Sequence, residues 1–160
     1  MLSGETTIGQ YPIRCVEQLV DIAQASEGVP GLGFSQRLSP DSDKQAVAHY
    51  AVQLAESIGA KGTVVITRRG YMADCVTNCH PQRSRIYAFT NDSQTRRRLI
   101  LNRNLSPYRI AFSQDPEKTL RAAFNLLKRK AGLAAGDKVV VISDVIAGQG
   151  IEAIQIRGID

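Results

Sequence analysis

The stretch that decides the fold is TVVITRRGYMADCVTNC, residues 63–79. It opens with a short β-branched, apolar run from Thr63 to Thr67, which is typical of a buried strand. RRGYMADCVTNC, residues 68–79, then suits a helix, with Gly70 at the change of backbone direction. A buried strand that passes through a glycine turn into a helix is the repeating unit of α/β folds.

The same cycle occurs on both sides of this stretch. An apolar helical stripe at residues 46–58 precedes it, and two more strand and helix pairs follow. These later predicted elements are strands at 85–90 and 107–112, helices at 92–101 and 116–130, and two final apolar runs at 138–142 and 151–156.

The alternation predicts an α/β three-layer sandwich with a mainly parallel sheet of about five strands. The two final runs have no helix between them, so they must pair through a hairpin-like connection. The sheet is therefore predicted to be mixed, with an antiparallel strand near its edge.

Residues 1–42 have a different pattern. A helix is predicted to begin at Tyr11-Pro12, because proline is tolerated at the first helical position, and to end near Glu27 and Gly28. The following GVPGLGFSQRLSPDSD is rich in Gly, Pro and Ser and reads as a linker. We therefore predict three parts: 1–28, a linker at 29–42, and an α/β domain at 43–160.

The net charge of +5 resides in short clusters, at residues 68–69, 96–98 and 128–130. We interpret the last two clusters as solvated faces. A positive balance attracts phosphorylated metabolites or nucleic acid, but neither aromatic interleaving nor a known DNA-binding motif accompanies these clusters. No nucleic-acid partner is predicted.

Other classes are excluded by composition. The sequence has no apolar run of about 18 residues and no charged leader before an apolar core, so neither a membrane span nor a secretory signal is expected. Three cysteines are an odd number in a chain of 160 residues, which indicates a reducing compartment and predicts the cytoplasm.

The loop Thr67-Arg68-Arg69-Gly70-Tyr71-Met72 is the first candidate site, since ligands of open α/β sheets bind where strands lead into helices. The helix offers free N–H groups, and the two arginines offer planar donor forks that suit phosphate. The alternative is a plain strand-to-helix turn with two solvated arginines, and the residues alone leave both interpretations open.

Other motifs are explained without chemistry. Residues 90–93, TNDS, are favoured as a helix N-cap. Cys75, Cys79 and His80 lack the fourth ligand of a zinc site, so buried structural cysteines are favoured and no metal site is predicted. AGQGIE lacks the GK[ST] of a phosphate-binding loop, and no Ser/His/Asp arrangement is apparent. No catalytic centre is predicted from the residues alone.

The motifs together resemble the pyruvate kinase family. MLSGET followed by GQYP and a helix containing VEQLVDIAQASE is similar to the end of that family's barrel domain. AVAHYAVQLAESIGAKGTVVITRRGYMA resembles its helix, strand and T-x-x-G-x-x-A loop, and RIYAFTNDSQTRRRLILNRNLSPY and GLAAGDKVVVIS resemble later segments in the same order. The resemblance covers essentially the whole chain.

This resemblance implies that residues 1–28 are the remnant of the last barrel strand and helix, and that 43–160 is the C-terminal domain. The family transfers a phosphoryl group from phosphoenolpyruvate to ADP with Mg²⁺ and usually K⁺, and its lysine, metal-binding carboxylates and nucleotide contacts lie in the barrel. The chain alone is therefore expected to be inactive and to bind no cofactor itself.

The resemblance also implies residue roles. Ser3 and Glu5 match residues at the barrel's active-site mouth, as catalytic residues in a barrel context only. Residues 67–72 match the loop that grips phosphorylated effectors, although the family commonly has serine where Arg69 stands and serine or threonine where Met72 stands. The family forms tetramers, so a phosphorylated small-molecule effector and a homo-oligomer are the expected partners.

Two functional readings remain. The first is the effector-binding and oligomerising C-terminal region of a pyruvate kinase. The alternative is a free-standing module of the same fold that senses a phosphorylated metabolite. The DNA ahead of Met1 distinguishes them, because a barrel-encoding frame supports the first and a promoter supports the second.

Overall fold

The computed structural model describes residues 1–29, 39–143 and 153–160, which fall into two compact units, residues 1–29 and residues 39 onward. The first unit holds two helices. The second holds a five-stranded sheet with four helices. The elements are α1 Gly4–Thr7, α2 Pro12–Glu27, α3 Asp43–Ser57, β1 Gly62–Ile66, α4 Tyr71–Asn78, β2 Arg85–Thr90, α5 Ser93–Leu99, β3 Leu105–Arg109, α6 Pro116–Ala131, β4 Lys138–Ser143 and β5 Ala153–Gly158.

The sheet confirms the predicted fold class. Its strand order is β3-β2-β1-β4-β5, in which every neighbouring pair is parallel except β4 and β5. The antiparallel strand β5 lies at the edge of the sheet, as the sequence predicts. Residues 30–38 of the linker and residues 144–152, which contain the whole glycine-rich AGQGIE stretch, lie outside the described residues.

Two strand positions differ from the sequence-based prediction. The third strand is Leu105–Arg109 and not 107–112, because its pairing with β2 begins at Leu105, directly after Asn104 turns the chain at φ +56°. The fifth strand runs to Gly158, since Gly158 and Arg157 pair with Lys138 and Val139 at the start of β4.

Helices cover both faces of the sheet and create two cores. On one face, α3 and α4 pack on side chains such as Val65 and Ile142. On the other face, α6 packs on side chains such as Val64 and Phe89. All five residues of β1 are buried, which explains why that strand is apolar without alternation. No helix within the described ranges is long and apolar enough to cross a bilayer.

A single glutamate ties α3 to the beginning of β2. Glu56 Oε1 accepts hydrogen bonds from the backbone N–H groups of Arg83 and Ser84, both at 2.9 Å, and from the Ser84 hydroxyl at 3.2 Å. One carboxylate therefore satisfies three donors in the turn that leads into β2. This contact holds the α4–β2 connection at the edge of the sheet where β2 begins, opposite the carboxyl ends of the parallel strands.

One buried hydroxyl in the sheet has no partner. Thr63, in β1, is fully buried, and its Oγ1 makes no hydrogen bond within the part of the chain that the structure describes. An unsatisfied buried hydroxyl destabilises a fold by about 1–3 kcal/mol.

We predict that Thr63→Val raises the free energy of unfolding by about 1 kcal/mol, because it replaces the unpaired hydroxyl by a methyl group of similar size. Urea unfolding followed by circular dichroism measures the change. The matched control is Thr119→Val. Thr119 is equally buried, but its Oγ1 accepts from the Ser113 N–H at 2.9 Å, so the control should lower stability. A loss of stability in both variants would contradict the prediction.

Candidate functional site

The β1–α4 loop, residues 67–70, leaves the carboxyl end of the central strand. In the order β3-β2-β1-β4-β5, the chain moves outward from β1 to β3 and then crosses to β4 on the other side. The strands β1 and β4 therefore flank the point where the winding direction reverses, and open α/β sheets bind ligands at this point. The topology places the candidate loop where a ligand site is expected.

Gly70 shapes the loop. Its φ of +83° lies in the left-handed region, which glycine adopts without strain, and the helix α4 begins at the next residue. The Gly70 N–H donates to Thr67 Oγ1 at 3.0 Å, and the Asp74 N–H donates to the Gly70 carbonyl at 3.0 Å. The loop is thus a closed turn held by its own hydrogen bonds.

The two loop arginines are exposed. No ion pair joins Arg68 or Arg69 to a carboxylate among the described residues, so both guanidinium groups are available to solvent. The N–H groups of Tyr71, Met72 and Ala73, in the first turn of α4, also meet no acceptor in the described ranges. Free N–H groups at a helix N-terminus beside two cations favour an anion.

The six predicted loop residues do not all present side chains to a ligand. Met72 is 2% exposed and belongs to the core beneath α4, so only its backbone N–H can face an anion. The Thr67 hydroxyl is buried and occupied by the Gly70 N–H. Tyr71 is about half exposed. Arg68 and Arg69 are the loop's exposed charged groups.

The neighbouring β2–α5 loop supports the first loop. Thr90 Oγ1 donates to the Arg68 carbonyl and accepts from the Asp92 N–H, both at 3.2 Å. The Asp92 carboxylate accepts from the Thr95 N–H at 2.6 Å, and this hydrogen bond lowers the pKa of Asp92. The N-cap interpretation of residues 90–93 is confirmed, and Thr90 also links the two loops.

Sequence reasoning missed Arg98, whose cluster we interpreted as a solvated face. Arg98 Nη2 donates to the Arg69 carbonyl at 2.9 Å, and Nη1 pairs with Asp74 Oδ2 at 2.9 Å. Asn102 Nδ2 holds the other Asp74 oxygen at 2.8 Å. Arg98 is exposed, as that interpretation expects, but the interpretation omitted its contact with the loop, which only its place on α5 provides. No local sequence signal could have shown this.

The cysteines behave as buried structural residues. Cys75 and Cys79 line a cavity of about 210 Å³ together with His49 and Asp74. Burial and the neighbouring Cys75 raise the pKa of the Cys79 thiol to about 11, which keeps it neutral and a poor metal ligand. No group of three His, Cys, Asp or Glu side chains in the described ranges could hold a metal ion.

Ser3 and Glu5 lie in the first unit. Both are exposed, Ser3 immediately before α1 and Glu5 within it. The Ser3 carbonyl accepts from the Thr6 hydroxyl at 2.9 Å. The catalytic role that the resemblance implies for these two residues stays a prediction.

Fold and loop geometry together define a three-layer α/β domain with an exposed cationic turn at its topological switch point. A family model described as "Pyruvate kinase, alpha/beta domain" matches residues 45–156. This match covers most of the sheet unit, and the chain belongs to the pyruvate kinase family. The family that the motifs indicated is confirmed.

Individual relatives agree. The chain is 32% identical over 158 residues to "Pyruvate kinase isozyme A, chloroplastic" of Ricinus communis, with 91% of this chain and 26% of that protein covered. It is 25% identical to a pyruvate kinase of Eimeria tenella, with 91% of this chain and 28% of that protein covered. A pyruvate kinase structure from Cryptosporidium parvum has the same fold, with a TM-score of 0.84 at 23% identity over 100% of this chain and 33% of that one.

The chain thus spans about a quarter of the length of the curated relatives it matches. It contains the family's α/β domain. Because the Ricinus relative is named chloroplastic, the cytoplasmic location stays a prediction from cysteine content.

We predict that Gly70→Ala destabilises the sheet unit by about 2–3 kcal/mol. Alanine is strained at this positive φ, and its Cβ would overlap Arg98 Nη2. Displacement of the Arg98 guanidinium would break its hydrogen bonds to Asp74 and to the Arg69 carbonyl. Urea unfolding measures the change.

The control is Gly132→Ala, at φ +69° with nothing within 4 Å of the added Cβ, which suffers the backbone strain alone. In an Arg98→Ala background the cost of Gly70→Ala should fall toward the control value, with a remainder from the close approach to Thr95 and Leu99. Equal costs at both glycines in the unmodified background would show that Arg98 does not restrict position 70.

Proposed function

We propose that this chain acts as the C-terminal region of a pyruvate kinase, where it binds a phosphorylated small-molecule effector and contributes to a homo-oligomer. The observation that carries the proposal is the β1–α4 loop. Within the described part of the chain, its two exposed arginines form no ion pair, and the N–H groups of the adjacent helix N-terminus meet no acceptor. Guanidinium forks and helix N-termini both favour phosphate.

The loop chemistry narrows the class of effector. The family's usual serine is replaced by Arg69, and its usual second hydroxyl by the buried Met72. Recognition therefore depends on charge and backbone N–H groups more than on hydroxyl contacts. A phosphate monoester of any small metabolite meets this requirement, and the loop provides no contact that demands one particular sugar.

The first unit supports the assignment of residues 1–28 to a barrel. The helix α2 has no buried residue, and large apolar side chains recur along it at helical spacing with 41–72% of their surface exposed. The members of this row are Ile13, Val16, Leu19, Val20 and Ile22. A helix with such a stripe packs against another apolar surface in the complete protein, and the outer layer of a barrel provides one.

The edge strand β5 supports an oligomer. Among the described strands β5 pairs only with β4, and Ile156 is 51% exposed on it. An open edge with an apolar side chain is a template for another strand. A second copy of this chain would satisfy that edge.

In the complete enzyme we propose phosphoryl transfer from phosphoenolpyruvate to ADP, with Mg²⁺ and K⁺. The described residues hold no group of metal-ligating side chains that fits either ion, so neither ion is assigned to them. Phosphoryl transfer depends on positioning and on metal-ion electrostatics. The role left to this chain is regulation and assembly, with Ser3 and Glu5 at the barrel's mouth.

We predict that the purified 160-residue chain forms no pyruvate from phosphoenolpyruvate and ADP, because the groups that position both substrates lie in the barrel. A lactate dehydrogenase-coupled assay with Mg²⁺ and K⁺ present measures this. A complete pyruvate kinase is the positive control. Turnover that rises in proportion to the concentration of the purified chain would refute the proposal that catalysis needs the barrel.

We predict that the chain binds glucose 6-phosphate and inorganic phosphate, and that Arg68→Ala combined with Arg69→Ala weakens binding by about 2–5 kcal/mol, the worth of two charge-assisted contacts. Titration calorimetry measures the affinity. The control, Lys128→Ala with Lys130→Ala at the end of α6, removes the same charge elsewhere. Equal weakening by both double variants would show a general charge effect and would end the loop assignment.

A further inference from the structure

Each carbonyl of residues 68–70 in the β1–α4 loop is covered by a donor. Thr90 Oγ1 donates to the Arg68 carbonyl at 3.2 Å, Arg98 Nη2 to the Arg69 carbonyl at 2.9 Å, and the Asp74 N–H to the Gly70 carbonyl at 3.0 Å. A carbonyl oxygen that faces an anion repels it. None of these three oxygens is left without a donor, and the Arg98 guanidinium is the one charged group among the three donors.

Arg98 lies directly on the glycine turn. A Cβ at position 70 would overlap Arg98 Nη2 and would also approach Thr95 and Leu99 of the same helix at 3.2–3.3 Å. The guanidinium therefore occupies the space that glycine leaves empty. It reaches the turn from α5, a different element from the one that carries Arg68 and Arg69.

The position of Arg98 is fixed from two sides. Its Nη1 pairs with Asp74 Oδ2, while Asn102 holds Asp74 Oδ1, so the carboxylate cannot swing away without losing a second bond. A guanidinium has five N–H donors, and the contacts with Asp74 and the Arg69 carbonyl leave others free on a side chain that is 50% exposed. An exposed ion pair adds only about 0–1 kcal/mol to stability, so holding the fold together is a weak reason for this arrangement.

We propose that Arg98 is the positioning residue of the anion loop: it covers the Arg69 carbonyl and supplies a cation that Asp74 holds in place. Arg68 and Arg69, by contrast, are exposed and form no ion pair in the described ranges. This inference rests on the proposed function of the loop. Its ligand class is the phosphate monoester dianion, because a fixed guanidinium with free donors beside helix N–H groups matches several oxygens of one phosphate. The Asp74 carboxylate is the counter-ion that holds the Arg98 guanidinium in place.

The test compares the two partners of the ion pair. In Arg98→Gln the fixed charge is lost, and affinity for inorganic phosphate should fall about tenfold, the worth of one charge-assisted contact. Arg98→Lys keeps the charge without the fork and should recover part of the loss. Asp74→Asn removes a negative charge beside the site but keeps a side-chain oxygen that can accept from Arg98 Nη1, so Arg98 stays in place and affinity should hold or rise.

Titration calorimetry with inorganic phosphate on the full 160-residue chain gives the affinities, and urea unfolding shows whether each variant folds. In ¹⁵N-labelled protein, the Arg98 Nε–H resonance, assigned as the signal lost in Arg98→Gln, should shift as phosphate is added. If Arg98 only stabilised the fold, its Nε–H resonance would not shift with phosphate, and Asp74→Asn would weaken phosphate binding as much as Arg98→Gln does.

Failure of the inference and failure of the proposed function look different. If the unmodified chain binds phosphate and loses it in the Arg68, Arg69 double variant but not in Arg98→Gln, the loop function stands and the role of Arg98 is overturned. If Asp74→Asn weakens binding tenfold, the positioning role by charge is likewise overturned. If the unmodified chain binds no phosphate, both proposals fall.

Discussion

The rest of the sheet unit depends on the double pairing of β1. This strand is hydrogen-bonded to β2 on one edge and to β4 on the other, in parallel along its whole length, and side chains from both cores bury its two faces. Because β1 is paired on both edges and packed on both faces, the position of its carboxyl end is fixed. The turn at residues 67–70 and the first turn of α4 therefore follow a strand that is buried on both faces and paired on both edges.

The position of each cation in the fold matters more for this protein than its net charge. Arg157 of β5 pairs with Glu117 at the start of α6, and this pair lowers the pKa of Glu117 and raises that of Arg157. Arg98 is paired with Asp74. Arg68 and Arg69 have no such carboxylate in the described ranges. The balance of +5 predicts an affinity for anions in general, and most other lysines and arginines of the described ranges also lack an ion pair. What sets Arg68 and Arg69 apart is their place at the N-terminus of α4.

The sequence predicted what depends on local chemistry and periodicity. The apolar run of β1 and the left-handed glycine at 70 were predictable because burial and backbone conformation restrict residue type directly. Arg98 was not predictable, since its place at the loop depends on how α5 packs beside α4. The same holds for the first two residues of β3, which are set by pairing with β2 and not by their own composition. Met72 shows that a motif can also mislead. Its position in the loop motif predicted a binding role, but its side chain is buried in the core.

The three hydrogen bonds to Glu56 have a consequence for exchanging segments between related proteins. The Glu56 carboxylate is the acceptor for the turn at residues 83–84, 27 and 28 residues away. The helix α3 and this turn should therefore come from the same parent protein. A chimera joined between them would leave either an acid without donors or backbone amides without an acceptor. Crossover points placed after Ile86 would keep α3 and the turn together, and recombination along this gene is expected to be tolerated there sooner than between them.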